Sequence, residues 1–147
     1  MTTVTRATVR LALKTSLDGA FGSLVPAANR YAHRPADVRG AKRALIITSD
    51  GSNALPNRFM ADKVIYRFLI EFWVAYNDPA DSTWNAEDCE SETDALSEAL
   101  LDWLKANRAS NNIWLALEYE GLSTTASIMI GGREYRRERA AIQVEVQ

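Results

Sequence analysis

His33 and Cys89, the only histidine and the only cysteine, are the first places to look for a nucleophile or a general base. A Ser-His-Asp relay would have to use His33. It sits before Arg34-Pro35 in a polar stretch, and no serine has the Gly-x-Ser-x-Gly setting of a nucleophile elbow. Cys89 stands between Asp88 and Glu90, whose charges are expected to raise the thiol pKa and make it a poor nucleophile. The acids from Glu87 to Asp94 lack the central glycine and closing bidentate glutamate of a calcium loop, so they read as a helix cap and a solvated face. Gly19, Gly22 and Gly131-Gly132 are not followed by the Lys-Ser/Thr helix start of a phosphate loop. Arg133, Arg136, Arg137 and Arg139 are interleaved with Glu134 and Glu138, which predicts an alternating surface ladder rather than a phosphate track. The residues therefore predict no catalytic site, no cofactor and no metal.

The elements that would carry any other function are better defined. Their centre is VIYRFLIEFWVAY, Val64–Tyr76, which alternates with period two. Val64, Tyr66, Phe68, Ile70, Phe72, Val74 and Tyr76 form an apolar face. Ile65, Arg67, Leu69, Glu71, Trp73 and Ala75 form a mixed one. The run is too short and too charged for a membrane span. It predicts a long central strand.

Around it, residues 4–21 read as an amphipathic helix, with Val9, Leu13 and Leu17 on one stripe and Arg6, Arg10 and Lys14 on another. Residues 23–40, with Pro26 and Pro35, read as a long loop. RALIITS at 43–49 reads as a short strand closed by a turn at Asp50-Gly51-Ser52-Asn53. A second helix is predicted over 91–106, capped by Ser91 with Asp94. Its stripe of Ala95, Leu96, Ala99, Leu100, Trp103 and Leu104 should cover the apolar face of the strand. Strands at 113–119, about 126–130 and about 135–146 complete the chain, with Gly131-Gly132 as a hairpin turn. The expected fold is α+β: one domain, 1–147, with a mostly antiparallel sheet of about five strands packed on one face by two helices.

Composition limits the class. With 47% hydrophobic and 24% charged residues, the chain has the balance of an ordinary globular protein, and a net charge of −2 disfavours a general nucleic-acid binder. One cysteine excludes an internal disulfide. The N-terminal run spreads charges through its apolar positions, unlike a signal peptide, so synthesis and folding in a cytoplasm are expected. Charge is segregated along the chain. Residues 1–43 hold eight bases against two acids, while residues 81–102 hold eight acids and no base. This pattern reads either as ordinary solvated surface or as a basic and an acidic face that meet between identical copies. Candidate interface residues are Arg6, Arg10 and Lys14 on one side and Glu87, Asp88 and Glu90 on the other. Trp73, Trp84 and Trp114 are the candidate apolar anchors, the alternative being that they are core or loop-anchoring residues.

Taken in order, a basic amphipathic helix, a proline-containing loop, a short strand, a long aromatic strand, an acid-capped helix and a meander lead to GGREYRRERAAIQVEV. The closing strand has a Tyr135-Arg136 start and an Ile142-x-Val144-x-Val146 finish. This order resembles the tail terminator (tail-completion) proteins of long-tailed bacteriophages, and less closely other neck proteins of those particles. The resemblance implies an α+β subunit made in the host cytoplasm and incorporated in the virion, as a six-membered ring. It implies, as partners, further copies of the chain, the tail tube protein and a neck or head-completion protein. DNA would pass through the lumen without sequence-specific binding, and no membrane is involved. The alternatives are another head-tail connector or a nucleic-acid-binding module, the latter requiring a continuous basic face.

Overall fold

A computed structural model describes residues 4–22, 42–55, 63–78, 81–108, 113–119, 124–130 and 132–146. In chain order they form helix α1 (Arg6–Phe21), strands β1 (Arg43–Leu55) and β2 (Lys63–Ala75), helix α2 (Ala86–Ala106), and strands β3 (Ala116–Tyr119), β4 (Thr124–Ile130) and β5 (Arg133–Val146). The stretch expected as a long loop at 23–40, and His33 within it, lies outside the described residues.

The alternating run is the inner strand that its pattern predicts. β2 pairs with β1 on one side, where Leu45 faces Phe72, and with β5 on the other, where Ile142 faces Phe68. The far edge of β5 is shared. β3 takes its second half, with Leu117 opposite Val144, and β4 its first half, with Ile128 opposite Tyr135. Every pairing is antiparallel, so the fold is α+β with a five-stranded antiparallel sheet.

Both helices lie on one face. Phe68, Ile70, Phe72 and Val74 of β2 are buried in one cluster with Val9, Leu13, Leu17 and Phe21 of α1 and Leu96, Leu100, Trp103 and Leu104 of α2. Phe21 and Phe72 pack with ring centroids 5.1 Å apart. The Trp103 Nε1–H donates to Ser16 Oγ at 2.8 Å and ties the helices together. Each large side chain in this layer contributes on the order of 2 kcal/mol through burial. The helices run in opposite directions. The Tyr66 hydroxyl donates to Val4 O (2.9 Å) near the start of α1, whose end reaches Phe72. The Cys89 thiol near the start of α2 donates to Val74 O (3.5 Å), and the helix ends where Leu104 and Leu117 share a groove.

Three boundaries differ from the sequence reading. First, α2 begins five residues before the predicted start. Asn85, not Ser91, is the N-cap: its side-chain oxygen accepts from Glu87 N and Asp88 N, and in return the Asn85 N–H donates to the Asp88 carboxylate. That reciprocal box satisfies orphan amides of the first turn, and the acids there suit the helix dipole. Asn85→Ala is expected to cost about 1 kcal/mol, lowering Tm by roughly 2–4 °C in a thermal melt. An unchanged melt would show that the box contributes nothing.

Second, the Asp50-Gly51 cluster does not close β1. Register shifts between Ser49 and Ser52, placing two residues opposite Arg67, and the strand runs on to Leu55. Gly51, at φ 94°, takes the left-handed conformation this bulge requires. Third, β3 starts at Ala116, not at 113. Before it the alternation breaks, so Trp114 is buried while Leu115 is exposed. The glycine hairpin is as expected, with Ile130 opposite Arg133 and Gly132 at φ 80°.

The mixed face of the sheet has its own cluster of Ala44, Ile46, Trp73, Ala75 and Tyr135, with Ile128 against it. Beside it Glu71 is buried, its Oε1 accepting from Arg139 Nε (2.7 Å) and its Oε2 from Trp73 Nε1 (3.0 Å).

Candidate functional site

The candidate site is a pair of charged surfaces, and its positions follow from the helix geometry. Arg6, Arg10 and Lys14 recur every four residues on α1, so they form one stripe about 12 Å long at 1.5 Å per residue. The Arg10 Nη1 donates to Ser49 Oγ of β1 at 3.1 Å, which fixes that stripe on the β1 side of the sheet. α2 crosses the same face of the sheet, its first turns reaching β1 through Glu92 and Arg43 (2.9 Å) and β5 through two further contacts. Its Ser97 hydroxyl donates to Glu138 of β5 (3.3 Å), and Glu90 pairs with Arg136 of β5 at 3.9 Å. With Leu96, Leu100 and Trp103 turned inward, the spacing of α2 puts Asp94, Glu98 and Asp102 on its solvent side, and all three are exposed. The basic stripe therefore lies beside β1, and the acidic ridge faces away from the sheet, on the side of α2 opposite Leu96 and Leu100.

The predicted interface residues divide into three groups. Arg6 and Glu87 are exposed, and Lys14 and Arg10 are half-buried on the basic stripe. Asp88 is held in the capping box and Glu90 by Arg136, so both already serve the subunit. The three tryptophans are anchored internally. Trp73 is 3% exposed, and Trp114 is buried with its indole N–H donating to Asn107 O at 3.1 Å. Neither has surface to give a neighbour, because strand register and the turn after α2 pack them inside. Trp84 is half-buried. Its indole donates to Ala75 O (2.8 Å), and the Lys42 ammonium lies 3.8 Å from its ring centroid.

Part of the charge segregation is satisfied within one chain. Lys42 lies 3.7 Å from Asp78 and 3.6 Å from Asp81, and Arg43 meets Glu92 at 2.9 Å. For these residues the basic N-terminal block and the acidic block meet in the same subunit, not across a boundary. Asp81 also accepts from the Thr83 hydroxyl and amide (2.6 and 3.0 Å), and these bonds, helped by Lys42, hold its carboxyl below the usual range. The ridge of Asp94, Glu98 and Asp102 was not singled out from the sequence. Its signal is the four-residue spacing that it shares with Arg6, Arg10 and Lys14.

Cys89 is buried, and its thiol pKa is raised chiefly by that burial; Arg136 opposes the shift and Glu90 adds only the smallest part. The direction matches the sequence reading, but the cause is desolvation rather than neighbouring acids. Ellman's reagent is expected to leave Cys89 unmodified in the native protein and to titrate it after unfolding. Rapid stoichiometric reaction at neutral pH would overturn this. Among the described residues no group of three His, Cys, Asp or Glu side chains could hold a metal ion. An open groove of about 500 Å³ lies between the end of α2 and β3, lined by Leu101, Leu104, Leu117 and Tyr119 with Lys105 and Arg108 at its rim. Among the described residues no helix is long and apolar enough to cross a membrane. The sequence matches no known family model, and no curated protein matches it.

Proposed function

We propose that this chain works by assembly rather than catalysis, as the tail terminator subunit of a long-tailed bacteriophage. In this reading six copies close into a ring in the virion. The ring caps the tail tube, contacts a neck or head-completion protein, and lets DNA pass through its lumen without reading sequence. The observation that carries the proposal is that opposite charge sits on two different surfaces of the subunit, basic on α1 beside β1 and acidic on the solvent side of α2. A subunit with two different complementary sides makes heterologous contacts, and those close into a ring when the rotation divides the circle. The order of elements supports the phage assignment: a basic helix, two long strands, an acid-capped helix, and a meander closed by the glycine hairpin.

The test is direct. Light scattering on the purified chain should give a multiple of 16.4 kDa, sixfold for the expected ring, and negative-stain images should show closed annuli. Added to polymerising tail tubes of the same phage, the ring should halt extension. A chain that stays monomeric would overturn the proposal. A ring that binds head components but never tube ends would assign the chain to the neck.

A further inference from the structure

We propose that neighbouring copies join through a helix pair, with the basic stripe of α1 in one copy lying antiparallel to the acidic ridge of α2 in the next. Its register sets Arg6 against Asp102, Arg10 against Glu98 and Lys14 against Asp94. This deepens the ring reading above and rests on it.

Three features select this contact. The spacing matches, since both triplets recur every four residues and rise by the same length on their helices. The direction matches as well. α1 and α2 run oppositely within one subunit, so copies placed side by side with similar orientation bring α1 of one antiparallel to α2 of the next. In that arrangement the helix dipoles also oppose favourably. Finally, each stripe carries an exposed leucine, Leu11 on α1 (66% exposed) and Leu101 on α2 (40% exposed), which gives the contact apolar area that charge alone lacks. Solvated ion pairs contribute little to affinity and mainly set register.

The charges beyond each triplet exclude the nearest alternative. Sliding α1 by one turn, so that Arg10 meets Asp102, would bring Asp18 against Asp94 and Arg6 towards Lys105. Sliding the other way leaves Asp102 without a base. That shift would pair Arg6 with Glu98, Arg10 with Asp94 and Lys14 with Glu90, but Glu90 already meets Arg136 of its own subunit, so the proposed register is the one that uses all three acids of the ridge. Its next rung would set Asp18 near Glu90, but Glu90 is turned to Arg136 of its own subunit.

Charge reversal tests the register and separates it from the ring itself. Arg10→Glu and Glu98→Arg, each shown folded by circular dichroism, should individually weaken self-association by about tenfold or more as the middle rung becomes repulsive. Mixing the two variants should restore assembly, because each junction between unlike partners then pairs Glu with Arg or Arg with Glu. Ser49→Ala, which removes the intramolecular bond of Arg10 but not its charge, should leave the ring intact. If the single variants keep the wild-type mass, the helix contact is wrong and the ring reading stands. If they dissociate but the mixture does not reassemble, the two stripes do not face each other. If the wild-type chain is itself monomeric, both readings fail.

Discussion

Leu100→Ala is expected to destabilise the fold by about 2–5 kcal/mol, whereas Leu101→Ala, one position along the same helix, should stay within about 0.5 kcal/mol of wild type. The two leucines differ only in the direction that the helix gives them. Leu100 is 5% exposed in the cluster that holds Phe68, Phe72 and Trp103, so its truncation leaves a void between α2 and β2 that rigid neighbours on both sides cannot fill. A step of 100° around the helix turns Leu101 to the rim of the groove beside β3. Urea titration of both variants is the check, with the change read from the midpoint at constant slope. Equal losses for the two would mean that α2 does not sit on the sheet with this face. The comparison also guards the assembly experiments, because a Leu101 variant that folds normally but associates weakly reports on the surface rather than the core.

The layer that Leu100 belongs to was readable from the sequence because it is written in local periods. β2 spans Lys63–Ala75 where alternation predicted Val64–Tyr76, and the residues assigned to its apolar face, Phe68 to Val74, are those buried under the helices. The stripe of α2 was legible for the same reason, except that Ala95 is exposed and the true stripe continues back through Thr93 and Cys89. Neither residue is strongly apolar, so the periodicity of the sequence starts the helix at 91 and not at Ala86. Thr93 hides its hydroxyl by donating to Cys89 O at 2.8 Å, a bond that only the formed helix creates. Likewise Asp50-Gly51 reads as a turn in isolation. It becomes a bulge because β2 continues opposite it and the ladder resumes at Ser52.

What the sequence hid depends on register between distant segments. The interface role assigned to Trp73 assumed that the mixed face of β2 was open. In the fold Tyr135 lies opposite Ala75 and packs its ring 6.5 Å from that of Trp73, a neighbour 62 positions away. The charge blocks were similarly ambiguous. Nothing local tells Arg43, which pairs with Glu92 of its own chain, from Arg10, whose described partner is a neutral serine. The candidate site is therefore visible as a composition bias but not as a surface, and the fold divides its residues between internal pairs and the two helix stripes.

Arg139→Ala tests the most consequential of these distant pairings and is expected to cost on the order of 2–3 kcal/mol. Glu71 is opposite Arg139 across β2 and β5, with its side chain 8% exposed, and both of its oxygens are occupied, one by the guanidinium and one by the Trp73 indole. Removing the arginine strands a buried carboxylate on a single neutral donor. A fully buried pair would lose about 3–5 kcal/mol when one partner is deleted. Here the Arg139 side chain is 37% exposed, so water screens the pair and can partly replace its donors, which sets the lower figure. The double replacement Glu71→Leu/Arg139→Leu removes the stranded charge together with its partner. It should lie within about 1 kcal/mol of wild type, since an apolar pair of similar volume avoids the desolvation cost. Arg139→Ala, the corresponding single Glu71→Leu variant and the double variant, compared by urea denaturation, separate the pair from its parts. If Arg139→Ala instead unfolds at the wild-type midpoint, Glu71 is solvated and the mixed face is more open than the contacts of Trp73 require. That outcome would also return Trp73 to the set of residues able to touch a neighbouring copy.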